Sequence, residues 1–389
     1  MSASERRPLV LEKIPLGSCV DGRYWKIIPT DVLGLPESYL YDPAPQLPML
    51  PGMRVVDAAG FKAAKWQKPS QALLTTGLHY ANNRSDRGTD PEFFLTERGE
   101  RIPAFMKLPA KSETKMGWFW DGFQGETTVG ADNCHEVIAQ NIAYQMRKLK
   151  ALGLNISDTT VWRVPDVLLE NASDAQVALG CDPSENAYGL VGRKVEYPRF
   201  LKWRFAGGHI HQSMQAQERQ NKAHVEYIVR TMDAFLGVPA VALFQNYDRF
   251  IRRRYYGLAG EYRLPSHGLE YRVLSNAWAF HPLSFMLTFD LARFAFSLGR
   301  AHMRRLFVGD RRTVVDTINN CDVKTAQALM DANKETYNTW LDWRYRSAKP
   351  FWEAIKGGID KVIPNFGKDI VGAWEPIERY DDAPHWARV

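Results

Sequence analysis

The chain has 389 residues, 45% of them hydrophobic and 24% charged, with a formal net charge of +6. That balance is ordinary for a globular protein and excludes disordered and fibrous classes. The basic residues are scattered apart from Arg252-Arg253-Arg254 and pairs such as Arg304-Arg305 and Arg311-Arg312. An anionic partner is therefore permitted, nucleic acid included, without the dense stripe of a dedicated nucleic-acid binder.

Eight of the 22 prolines fall in the first 51 residues. Proline fixes φ and removes a backbone donor, so residues 1–85 are expected to form an extended, loop-rich extension or cap. From Gly88 the pattern changes to short strands. Glu92–Leu95 leads through a polar turn at Glu97-Arg98-Gly99-Glu100 to a return strand at Ile102–Phe105. Trp118–Val129 reads as a strand pair or one bulged strand. Asn133–Leu152 reads as a helix, because Val137, Ile138, Ile142, Met146 and Leu149 repeat at helical spacing. Arg147, Lys148 and Lys150 suit its C-terminal dipole, and Gly153 is a natural stop.

Further strands are expected at Val161–Val167, Phe205–Gln212, Gly260–Leu264 and Leu269–Leu274, with a helix over Gln215–Leu236. After Pro282 the chain turns helical, at Leu283–Phe307, Arg312–Asn319, Val323–Arg346 and Pro350–Val362. The expected class is α+β, a mostly antiparallel sheet with helices packed on one side and a helical C-terminal region. Its expected units are residues 1–85, a core over 86–282, and a helical region over 283–389 packing on that core.

Four cysteines, Cys19, Cys134, Cys181 and Cys321, stand far apart with no C-x-x-C pair, which favours a reducing compartment over a zinc site or disulfide framework. Glu5, Arg6 and Arg7 are not followed by a continuous apolar stretch, so no signal peptide is read. The most apolar long segment, Leu283–Leu298, carries Asp290 and Arg293 and reads as a buried helix rather than a membrane span. The expectation is a soluble cytoplasmic protein with no membrane partner.

Three segments carry the chemistry: Asp90-Pro91-Glu92, His209-Ile210-His211 and Glu270-Tyr271-Arg272. Residues i and i+2 of a strand share a face, so each segment presents a charged or ligating pair to one surface. Unpartnered charge in an apolar core is very costly, whereas divalent cations and phosphate would use every one of these groups. Gly207 and Gly208 before His209 are expected to let backbone approach a ligand closely. Arg263 and Arg272, on strands joined by Pro265-Ser266-His267-Gly268, are expected to bring two guanidiniums toward the same place. Each pair also has a plainer reading: satisfied strand histidines, or a surface ion pair at Glu270-x-Arg272. The Gly180–Gly189 loop is a source of Glu185 or Asn186 for a substrate, but reads better as a structural turn. The Arg252–Arg254 run reads as a solvated face, with one member available to a phosphate.

These motifs resemble those of glutamine synthetases. Gly88-Thr89-Asp90-Pro91-Glu92-Phe93 resembles their Gly-x-Glu-Pro-Glu-Phe strand, and Gly207-Gly208-His209-Ile210-His211-Gln212-Ser213 their Gly-x-His-x-His-x-Ser strand. Arg263-Leu264-Pro265 and Glu270-Tyr271-Arg272 resemble the late Arg-x-Pro and Glu-x-Arg strands, in the same order. More closely, the segment from about Gly88 to Pro282 resembles the phage-type carboxylate-amine (COOH–NH2) ligases, of the glutamine synthetase and glutamate-cysteine ligase superfamily.

The resemblance implies a curved antiparallel sheet and an ATP-dependent, magnesium- or manganese-dependent ligase joining a carboxylate to an amine through an acyl phosphate. It also implies site residues. Glu92 and Glu126 would hold one metal, with Asp121 a candidate third ligand, since Asp121–Glu126 departs from the family's paired-glutamate spacing. Asp90, standing where the family has glutamate, would hold a second metal with His209 and Glu270. His211 and Ser213 would lie near the nucleotide, and Arg263 and Arg272 would steady the transferred phosphoryl group. The amine acceptor could be an amino acid, a peptide, a modified base or a protein terminus, and an oligomer is compatible with the family. Two other readings stand beside this one: a binding or assembly protein with little catalysis, and a guanidino-kinase-like phosphotransferase.

Overall fold

The computed structural model describes residues 11–13, 25–27, 86–111, 117–132, 135–179, 184–191, 198–344 and 348–375. Apart from one antiparallel ribbon, β1 (Leu11–Lys13) with β2 (Trp25–Ile27), the proline-rich reading of residues 1–85 lies outside the described residues, as do Cys19, Cys134 and Cys181.

The main sheet has eight strands and is antiparallel throughout. In chain order these are β3 (Arg87–Thr89), β4 (Glu92–Phe93), β7 (Gly117–Asp121), β8 (Gln124–Asp132), β11 (Glu185–Asn186), β13 (Ile210–Ser213), β14 (Glu261–Arg263) and β15 (Gly268–Tyr271). Across the sheet the order is β11-β14-β15-β13-β3-β8-β4, with β7 also on β8. A three-stranded sheet joins β5 (Leu95–Glu97) to β6 (Glu100–Ile102) and β9 (Leu154–Ile156). The predicted strand Glu92–Leu95 is thus split at Phe94, and its two halves serve different sheets. A ribbon of β10 (Val161–Arg163) and β12 (Trp203–Phe205) completes the strands.

The helices cover one face. Helix α1 (His135–Ala151) packs on β8 through Ile138, Ile142, Met146 and Leu149, all fully buried, and Gly153 at φ +71° ends it. Strand residues of the opposite parity, Ile210, Tyr271 and Tyr262, face the same core and lie directly across from one another. The predicted Gln215–Leu236 helix is broken by Asn221, whose side chain caps α2 (Lys222–Met232) by accepting from the His224 N–H at 3.1 Å. A π-turn at Asp233–Gly237 then leads into α3 (Val238–Leu243). Pro239 has no N–H to donate back, which suits a local change of hydrogen-bond pattern.

Helix α4 (Pro282–Arg300) crosses α2 closely: a Cβ on Gly299 would stand 2.9 Å from the Ile228 Cα. Then follow α5 (Arg311–Asn319), α6 (Val323–Ala332), α7 (Lys334–Arg344) and α8 (Lys349–Gly357). Asn333 interrupts the predicted Val323–Arg346 helix by turning its amide onto Val308 and Leu329. The strand expected over Val161–Val167 stops at Arg163, because Pro165 opens a short helix over Asp166–Glu170. One hydrophobic cluster runs from Phe93 in the sheet to Trp374 near the last described helix. The α+β class, the antiparallel sheet and the helical C-terminal region are as expected. Among the described residues no helix is long and apolar enough to cross a membrane.

Candidate active site

Antiparallel register builds the site, because residues directly opposite each other share a face. Glu270 lies opposite His211 on one side and Arg263 on the other, and His211 lies opposite Gly88. Two residues along these strands the same face carries Arg272, His209 and Asp90. Beyond the bend at Pro91, Glu92 lies opposite Glu126, which also lies opposite Phe119, and Asp121 follows two residues later. The sheet therefore turns apolar residues to the helices and gathers ionisable ones on its other face.

Two clusters result, each with ligand atoms within 4.8 Å of one another: Asp90 with His209 and Glu270, and Glu92 with Asp121 and Glu126. In the first, His209 Nδ1 lies 3.1 Å from Asp90 Oδ1 and 3.3 Å from Glu270 Oε1. Arg263 grips both Glu270 oxygens at 2.8 Å, and Arg272 Nη1 donates to Oε1 at 2.7 Å. Burial opposes ionisation of Asp90, yet His211 and His209 hold its carboxyl well below the usual range. Burial likewise opposes ionisation of Glu270, but His209, Arg263 and Arg272 keep it low. Burial, then Arg272, pushes His209 down against the pull of Asp90 and Glu270, the direction that suits the neutral imidazole of a metal ligand.

His211 bridges outward, with Nε2 3.1 Å from Asp90 Oδ1 and Nδ1 3.0 Å from His267 Nε2. Ser213, two residues on, shares the His211 face at the strand end opposite Gly268.

The second cluster is purely acidic. Glu92 Oε2 accepts from the Gly207 N–H at 2.7 Å, and Lys111 Nζ stands 3.4 Å from Glu126 Oε1. Burial, then the charge of Asp121, pushes Glu92 up to about 8. Burial, then Asp90 and Glu92, pushes Glu126 to about 9. Burial also raises Asp121. Three crowded carboxylates that ionise only against resistance form an oxygen cage suited to a hard divalent cation. The residues of both clusters therefore fit the metals that the family resemblance implies.

Tyr256 joins the clusters, and no motif pointed to it. Its hydroxyl contacts His209 Nε2 and reaches Glu92 Oε1 at 3.4 Å, and its ring lies 5.5 Å from the Arg272 guanidinium. With Nε2 engaged by Tyr256, His209 presents Nδ1 to the metal side.

Two expectations change. Gly207 and Gly208 make room for protein rather than ligand. A Cβ at Gly207 would stand 2.6 Å from the Tyr256 hydroxyl, and one at Gly208 would stand 2.3 Å from Trp278 Nε1. In the Arg252–Arg254 run, Arg252 and Arg253 are buried on Asp248, which they hold down at about 2 against its burial. Arg254 covers the Phe250 ring at 4.7 Å. Glu185 and Asn186 are engaged by neighbouring protein groups: Glu185 accepts from Tyr262 OH at 3.1 Å, and Asn186 donates to the Ala259 carbonyl at 2.8 Å.

Residues 198–315 match the family model described as phage phiEco32-like COOH.NH2 ligase-type 2. The matched stretch carries His209, His211, Ser213, Arg263, Glu270 and Arg272 together with Tyr256, while Asp90, Glu92, Asp121 and Glu126 precede it. The resemblance read from the motifs is thereby matched over this segment, and the family is one of carboxylate-amine ligases. Among solved structures the chain is similar to a novel glutamine synthase homolog, with TM-score 0.35 and 12% identity over 79% of this chain and 75% of that one. It is also similar to a bifunctional glutathione synthetase from Pasteurella multocida, with TM-score 0.37 and 9% identity over 82% of this chain. The chain spans about half of that protein, 52%. No curated protein matches the sequence.

Proposed function

We propose that this protein is an ATP- and magnesium-dependent carboxylate-amine ligase that forms an amide through an acyl phosphate. The observation that carries the reading is the pair of metal-competent clusters side by side on one sheet face, with two arginines bonded to Glu270 of the Asp90–His209–Glu270 cluster. Glu92, Asp121 and Glu126 would hold one metal ion, and Asp90, His209 and Glu270 a second. Metal bound there supplies charge neutralisation for the triphosphate during phosphoryl transfer.

The chain's own contribution is positioning. Arg263 and Arg272 fix the Glu270 carboxylate from two sides, so that it keeps its geometry as charge moves nearby. Tyr256 holds His209 from behind. Arg263, 29% exposed, stands at the open edge, where a planar multidentate donor suits a phosphoryl group. Transfer of the γ-phosphoryl to a carboxylate oxygen releases ADP. Attack of an amine on the acyl carbon then expels phosphate, leaving the amide and one proton. Residues 86–282 form the catalytic unit in this proposal, with the described residues of 283–375 packed on it. The assembly-protein reading offers no reason to bury an all-carboxylate cluster that resists ionisation beside Asp90, His209 and Glu270.

The test is a screen of the purified full chain with MgATP and pools of carboxylates and amines, read by mass spectrometry. Condensation with loss of water and equimolar ADP is the expected result. A phosphorylated guanidino compound without amide would instead install the phosphotransferase reading.

A further inference from the structure

Lys111 belongs to none of the motifs, yet it reaches the all-carboxylate cluster. Its Nζ lies 3.4 Å from Glu126 Oε1 and 4.9 Å from the centre of the Phe119 ring, the residue directly across β7–β8 from Glu126. The segment that carries it is pinned to β7: the Trp120 N–H donates to the Pro109 carbonyl at 2.9 Å, and Ala110 bridges Trp120. Beyond Glu126, the charges of Asp121 and of Asp90 in the other cluster also act on it.

Its exposure is unlike that of its partner. The Lys111 side chain is 66% exposed, whereas that of Glu126 is 8% exposed. Arg272, 0% exposed and bonded to Glu270, is fixed in place. A long, solvated ammonium at 3.4 Å makes a weak ion pair that can open at little cost. It also brings a positive charge to the cluster made only of carboxylates.

We infer that Lys111 is a tethered cation that neutralises the Glu92–Asp121–Glu126 cluster until a metal ion replaces it, and that it then turns to the triphosphate as a substrate-positioning residue. The inference rests on the ligase reading of these clusters. It has two consequences of opposite sign. Removing the ammonium removes a competitor for the metal, so metal binds more tightly. The same change removes a cation from the nucleotide, so the metal-loaded protein binds nucleotide less well. A merely structural lysine would move both affinities the same way, or neither.

The experiment measures Mn2+ binding to the full-length protein by electron paramagnetic resonance, for wild type, Lys111→Met and Lys111→Arg. The affinity of the Mn2+-saturated proteins for the nonhydrolysable ATP analogue AMPPNP is measured next. Lys111→Met should bind Mn2+ about twofold to fivefold more tightly, the size of one exposed ion pair. It should bind AMPPNP several-fold more weakly, and Lys111→Arg should match wild type in both. With two-thirds of the side chain exposed, the methionine variant keeps the fold, which its denaturation curve checks. Wild type that binds no Mn2+ would overturn the metal reading of the whole site. Wild type that binds Mn2+ while Lys111→Met binds it equally or less tightly would overturn the role of Lys111 alone. Tighter Mn2+ with unchanged AMPPNP would overturn the second half of that role.

Discussion

Glu92→Gln should make the metal-free protein more stable at alkaline pH and less responsive to magnesium. Glu92 ionises near its ordinary 4.5 in the unfolded chain but only near 8 in the fold. Between those values the folded protein keeps a proton that the unfolded chain has lost, so stability falls as pH rises. One proton is worth about 1.4 kcal/mol per pH unit, so raising pH from 6 to 8 costs the metal-free fold about 2 kcal/mol through Glu92 alone. Glu126, near 9, continues the loss in the same direction. Asp233, raised by burial to about 7, adds a slope of the same sign in both proteins and cancels from their difference.

Asp90 and Glu270 act oppositely. Their lowered values add stability that is complete above the ordinary carboxylate range and constant from pH 6 to 8. Glutamine keeps a carbonyl to accept from the Gly207 N–H and removes only the charge. Urea denaturation at pH 6 and 8, with and without Mg2+, reads all of this. Wild type should lose stability toward pH 8 and regain it with magnesium, by about 2.7 kcal/mol at a hundred times the dissociation constant. The variant should lose less, start higher at pH 8 and gain less from the metal, keeping only the share of the Asp90–His209–Glu270 site. A variant less stable than wild type at pH 8 without metal, or a difference that stays constant with pH, would refute the reasoning.

Tyr256→Phe keeps the ring under Arg272 but releases His209 Nε2, so Mn2+ binding should weaken about tenfold to a hundredfold by titration calorimetry while the fold persists. Asp248→Ala strands two buried guanidiniums and should cost about 3–5 kcal/mol in chemical denaturation, far more than loss of a surface pair. Gly208→Ala drives a methyl into Trp278 and the Ser275 carbonyl, and should cost about 1–3 kcal/mol by the same measurement.

The strand-borne half of the site was legible because strand alternation is a local rule. Asp90, Glu92, His209, His211, Glu270 and Arg272 announce a shared face by their spacing alone. What joins them was not legible, because register depends on pairing between distant segments. Nothing local says that Glu92 lies across from Glu126, or that Glu270 lies between His211 and Arg263. Asp121 entered as an irregular spacing. It makes sense once Gly122, at φ +63°, turns the chain so that Asp121 and Glu126 rise on adjacent strands.

Tyr256 and Lys111 were invisible for a different reason. They arrive from segments outside the motifs and have no periodicity to betray them. The arginine run misled because sequence shows the charges and not Asp248 beneath them. The helix break at Asn221 is a local cap three residues long that competes with the helical pattern, whereas Asn333 turns to a distant partner, the Val308 carbonyl, which spacing does not show.

The central claim is that a carboxylate oxygen is phosphorylated before the amine arrives. A carboxylate pool labelled with oxygen-18, incubated with this protein, MgATP and the amine pool, tests it directly by the mass of the phosphate released. The account predicts one oxygen-18 atom in the phosphate, formed in step with ADP and amide. Amide formed alongside unlabelled phosphate would contradict it.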